Sequence, residues 1–164
     1  MIPTKRRLSH VQGYLELGMV AEAADELGQI SADDAQRTEV VVLRLAVLHE
    51  QQKWPLVRDL AAELVGRGVA DAGIWIMWAY ATRRAESIEN AERILLEAER
   101  RHPADPTIQF NLGCYACQRG DLRAARRFVA CATALDPKFS ALAATDPDLG
   151  PLRDKEAADR QTNS

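Results

Sequence analysis

Three cysteines and three histidines are the residues of this 164-residue chain with the most obvious chemical potential. Cys114 and Cys117 stand as Cys-x-x-Cys, and Cys131 lies in the next apolar segment. Such a pair can bind a metal or carry out thiol redox chemistry, because two sulfurs one helical turn apart reach a common point. A redox pair normally sits at a strand–helix junction, however, and structural zinc asks for four ligands. Here the pair falls in the middle of a helical pattern, so the cysteines read first as structural or groove-lining. A redox or metal sensor centred on Cys114 and Cys117 is the alternative, with Cys131 as a third sulfur. His10, His49 and His102 are scattered, and none has a catalytic partner in the sequence. His10 reads as a partly buried or capping histidine. No glycine-rich phosphate loop, Gly-x-Ser-x-Gly elbow or His-Glu-x-x-His is present. The sequence therefore predicts no enzyme, no catalytic residues, no resident metal and no cofactor.

The cysteine pair is carried by Pro106–Pro137, PTIQFNLGCYACQRGDLRAARRFVACATALDP, which reads as two amphipathic helices around a tight turn. Gly120 suits the left-handed position that ends the first helix, and Asp121 caps the second. Leu122, Ala125, Val129 and Ala132 then recur three and four residues apart on one face. Gly113 and Ala125 are small enough for two helix backbones to nest closely. One hairpin of this kind cannot bury its apolar face alone, so neighbours are required.

The spacing resembles the tetratricopeptide repeat (TPR) in Leu112, Gly113, Ala125, Val129 and Pro137, with Gln109 and Ala116 where aromatics are usual. Stepping back by about 34 residues places earlier units at Ala72, Thr38 and Thr4. Their second helices offer Ile88, Ala91, Leu95 and Ala98; Trp54, Val57, Ala61 and Leu64; and Val20, Ala23, Leu27 and Ile30. All are apolar. The expected architecture is all-α, an α-α superhelical solenoid of four units (4–37, 38–71, 72–105 and 106–137). A C-terminal cap over 138–153, anchored by Phe139, Leu142, Leu149 and Leu152, and a flexible tail over 154–164 follow.

The second unit is the least regular. Its leading helix, roughly 35–51 after a start signal at Ser31–Asp34, puts Arg44 and Leu45 at core positions on a strict count. Shifting it by one residue substitutes Leu45 and Ala46 and shortens the turn at Gln51-Gln52-Lys53, which avoids burying an arginine. In the third unit, Trp75 and Trp78 are expected in the core. Capping is expected from Asp71, Ser87 and Asp105, the last followed by Pro106 in the first turn.

Composition sets the outer bounds. A formal charge of −3 with both signs mixed argues against a nucleic-acid binder. The basic start at 1–7 is followed by no signal-like apolar run, and no stretch approaches a membrane span. An odd cysteine count argues against a secreted disulfide scaffold. The expectation is a cytoplasmic protein of a bacterial type, with no nucleic-acid or membrane partner.

The resemblance implies a non-enzymatic interaction module or scaffold whose leading helices line a groove for a partner peptide or helix. Carried over, the groove positions are Ile76, Tyr80, Arg83 and Arg84, then Phe110, Asn111, Cys114, Cys117 and Gln118, with Leu8, Gln12 and Leu15 in the first unit. Two arginines beside aromatics suit a ligand with acidic and apolar groups. Asn111 alone matches the residue types of a carboxylate clamp, so no such clamp is expected. Small secretion chaperones share the architecture and form a second alternative. A homo-oligomer stacked end to end is expected if Phe139 stays exposed.

Overall fold

The computed structural model describes residues 2–162, and among these the regular structure is entirely helical. Leading helices α1 (Thr4–Glu16), α3 (Thr38–Glu50), α5 (Ala72–Ala85) and α7 (Pro106–Gln118) alternate with α2 (Val20–Gly28), α4 (Trp54–Gly66), α6 (Ile88–Arg101) and α8 (Leu122–Leu135). Both series advance by about 34 residues, the period expected from the sequence. Short α9 (Lys138–Thr145), a single 3₁₀ turn (Pro147–Leu149) and α10 (Gly150–Thr162) complete the chain. Contacts divide it into two compact units, residues 1–86 and 87–164.

The first unit holds α1 to α5. Val11, Ala23 and Leu27 of the first hairpin bury against Val40 and Val47 of α3. Val41 and Leu45, on another side of α3, bury with Val57, Ala61 and Leu64 of α4 and with Ile74 and Ala81 of α5. A helix buried on two sides cannot show a narrow apolar stripe, which explains why Val40–Leu48 is apolar apart from Arg44. Trp75 is buried and Trp78 packs on the same core, as expected.

Two readings of the second hairpin need correction. α3 begins at Thr38 rather than near residue 35, and Ser31–Asp34 forms turns instead of capping it. Asp34 accepts a hydrogen bond from the Thr4 hydroxyl, which against the opposing effect of burial, and with help from Arg37, holds its carboxyl below the usual range. The one-residue shift is also absent. The turn keeps the three residues seen in the first and last hairpins, and Gln52 takes φ 55° where Gly18 and Gly120 take 72° and 86°. Arg44 avoids the core without any shift: it is half-buried, and its guanidinium donates to the Ala35 carbonyl at 3.4 Å. The cost of keeping register is therefore left-handed backbone at a residue with a Cβ.

The second unit holds α6 to α10. The Asp105 carboxylate accepts from the Thr107 and Ile108 amides, Ser87 Oγ from Asn90, and Asp121 from Ala124, each at a helix start named above. Gly113 is where α7 meets α8 most closely. A Cβ there would lie 2.7 Å from Val129 Cγ2 and 3.3 Å from the Val129 backbone nitrogen. Leu95 of α6 and Leu112 of α7 are fully buried.

The C-terminal segment departs from a simple end cap. Phe139, Leu149 and Leu152 are buried, whereas Leu142 is 46% exposed. Residues 154–162, expected as a flexible tail, continue α10 as helix; the last two residues of that expected tail lie outside the described residues, as does Met1 of the basic start. A Lys155–Asp159 ion pair along the helix and an Arg126–Glu156 pair to α8 support this polar helix. Phe139 itself is buried, while Leu135 and Leu142 beside it are exposed. No helix among the described residues is long and apolar enough to cross a membrane.

Candidate functional site

The expected groove residues fall into two groups, one in each unit. In the first unit α5 carries Ile76, Tyr80, Arg83 and Arg84, placed by the Asp71 cap, whose carboxylate accepts from the Gly73 amide at 2.7 Å. Tyr80 is 38% exposed, Arg84 is exposed, and Ile76 and Arg83 are half-buried.

Two residues that the sequence does not join to them complete the patch. The Trp54 ring stands edge-on to Tyr80 at 5.3 Å between centroids and edge-on to His49 at 5.5 Å. His49 and Tyr80 are 6.0 Å apart, and the Arg84 guanidinium lies 5.7 Å from the Trp54 ring centre. The patch joins the end of α3, the start of α4 and the second half of α5. In the sequence His49 lacks a catalytic partner, and Trp54 reads only as one of the apolar core positions. The available signal is a tryptophan directly after the left-handed turn, at a position where the other units have Val20, Ile88 and Leu122.

The second group is covered. Every residue from Ile108 to Cys117 except half-buried Asn111 is buried. Phe110 packs on Phe139 with ring centroids 5.1 Å apart. Exposed Gln118 donates from Nε2 to the Asp148 carbonyl at 2.7 Å, and the 3₁₀ turn and α10 pack on α7. The chain's own segment 139–152 thus occupies the face where Phe110, Cys114 and Cys117 were expected to line an open groove. These three are corrected to interior residues. Leu8 and Leu15 of the first unit are half-buried against the core, and Gln12 is exposed.

None of the three cysteines is in a disulfide. Burial pushes the Cys117 thiol up, aided by the nearby Asp148 charge and opposed by a hydrogen bond with the Leu152 backbone and by Arg153. Less thiolate at neutral pH means a slower nucleophile, which disfavours redox sensing at Cys117. Cys131 is half-buried on α8. His10 faces Glu26, with Nδ1 3.4 Å from Oε1, beside an Arg7–Glu26 ion pair at 2.8 Å, and so serves packing of α1 on α2.

No family model and no curated protein matches the sequence. Solved structures do match. MamA from Desulfovibrio magneticus RS-1 superposes with a TM-score of 0.73 at 16% identity, over 82% of this chain and 76% of that one. TTC0263, a thermophilic TPR protein in Thermus thermophilus, gives 0.69 at 18% identity over 94% and 88%. YrrB, described as a TPR protein with an unusual peptide-binding site, gives 0.66 at 14% identity over 91% and 82%. At these identities the likeness establishes the fold: the chain is an all-α helical repeat of the TPR type.

Proposed function

We propose that this protein is a protein-interaction module that binds a partner peptide on the His49–Trp54–Tyr80–Arg84 patch of its first unit. The observation that carries the reading is the half-open ring cluster, in which Tyr80 stays 38% exposed while Trp54 fixes its edge and Arg84 lies beside the indole. Tyrosine, tryptophan and arginine are enriched among the residues that dominate binding energy at protein interfaces, and the two aromatics bury large area while keeping a polar handle. Arg84 favours an acidic peptide, and the rings favour an apolar side chain next to the acid. The peptide-binding site of YrrB supports the class of activity, and the TPR fold supplies the scaffold. The surface of α7 takes no part in this reading, since the chain's own C-terminal segment lies on it.

The test is affinity capture with the full chain from its native cell, followed by titration of the recovered partner peptide. Tyr80→Ala combined with Arg84→Glu is expected to weaken binding at least tenfold, about 1.4 kcal/mol or more. The helical signal should stay close to wild type, with a modest fall in melting temperature from the lost ring contacts of Tyr80. Unchanged affinity in a folded double variant would reject this patch.

A further inference from the structure

Cys114 lies mid-way along α7, while Asp146 and Asp148 flank Pro147 more than thirty positions later. Packing of the 3₁₀ turn onto α7 brings them together, and one ligand atom from each lies within 4.8 Å of the other two. Around a tetrahedral ion with zinc–sulfur and zinc–oxygen bonds of ordinary length, such donors sit about 3.5 Å apart. The three groups are thus within a small side-chain adjustment of enclosing one ion.

Their backbones are already held. The Asp146 carboxylate accepts from the Asp148 amide at 2.8 Å, and its carbonyl accepts from Arg153 Nη1 at 2.7 Å. The Asp148 carbonyl takes the Gln118 amide at 2.7 Å, and Arg153 Nη1 also reaches the Ala143 carbonyl at 2.9 Å. These bonds fix the backbone of the 3₁₀ turn against α7, and supporting bonds of this kind preorganise metal ligands. Cys117 lies one helical turn from Cys114 on α7 and is not one of the three converging groups.

We propose that Cys114 Sγ and the carboxylates of Asp146 and Asp148 form a binding site for a divalent transition-metal ion of the zinc class. A soft thiolate among oxygen donors selects zinc or cobalt over magnesium or calcium, which prefer oxygen throughout. Binding converts the Cys114 thiol to a metal thiolate and releases its proton to solvent. The ion would tie α7 to the C-terminal segment that lies on it, so its role is structural. The sequence offers Cys-x-x-Cys with Cys131 as the third donor; the fold supplies Asp-x-Asp instead.

The experiment adds Co²⁺ to the reduced, chelator-treated full chain and follows the thiolate-to-cobalt absorption, with Zn²⁺ as competitor. One cobalt per chain is expected, displaced by Zn²⁺ and retained in excess Ca²⁺ or Mg²⁺. Cys114→Ser and Asp148→Asn should each weaken binding at least tenfold, and Cys131→Ser should leave it unchanged. Asp148 is half-buried in the 3₁₀ turn, so its variant keeps the test valid if Cys114→Ser misfolds. A folded wild-type chain that gives no thiolate band overturns the proposal. So does a band that survives Asp148→Asn in a folded chain, or one lost on changing Cys131.

Discussion

At the scale of single residues, the hairpin positions that set backbone geometry are filled by different means. Gly18 and Gly120 enter the left-handed region freely, whereas Gln52 does so with φ 55° and a Cβ to accommodate. Gln52→Gly is therefore expected to stabilise the chain by about 1 kcal/mol, read as a shift in denaturation midpoint at constant slope. Gly113 shows the opposite dependence on context. A Cβ at 2.7 Å from Val129 Cγ2 meets a side chain that a helix confines to one rotamer. Gly113→Ala should cost about 1–3 kcal/mol through overpacking. Gly13, inside α1 with nothing within 4 Å of its would-be Cβ, makes the control. Gly13→Ala should instead gain about 1 kcal/mol from helix propensity. Equal effects of the two alanines would mean that close approach at Gly113 carries no special weight.

At the scale of elements, α7 is defined by what covers it. Ile108–Cys117 carries no charge, and a helix facing solvent on one side would need a polar stripe there. The cover is α9, the 3₁₀ turn and α10, anchored by Phe139, Leu149 and Leu152, all nearly inaccessible. Leu149→Ala should cost about 2–5 kcal/mol, because the void it leaves lies in a rigid contact. The same substitution should speed modification of Cys117, whose sulfur lies by the Leu152 backbone. Quantitative labelling with a small thiol reagent under native conditions would show this. A labelling rate equal to wild type in a destabilised variant would place the damage elsewhere. The ring cluster of His49, Trp54 and Tyr80 follows a different logic, since it joins three elements at a turn rather than along one helix.

At the scale of the molecule, the repeat is readable because it rests on short-range periodicity. Small and branched apolar residues at matching positions, with Asp71, Ser87, Asp105 and Asp121 at helix starts, mark every helix onset of the third and fourth hairpins. The site is less readable, and for a physical reason. Whether Phe110 or Cys117 faces solvent depends on where a segment tens of residues later comes to rest, and no local period encodes that. The register of the second hairpin is obscured because a glutamine hides a left-handed turn that glycine would announce. The helical tail beyond residue 153 leaves no apolar signature because its support comes from ion pairs such as Arg126–Glu156. One further consequence lies in how the scarce side chains are distributed. The only tryptophans, Trp54, Trp75 and Trp78, belong to the first compact unit, and the only cysteines, Cys114, Cys117 and Cys131, to the second. Indole emission and sulfhydryl labelling thus give the native chain separate gauges for its two halves, with no dye or tag to install.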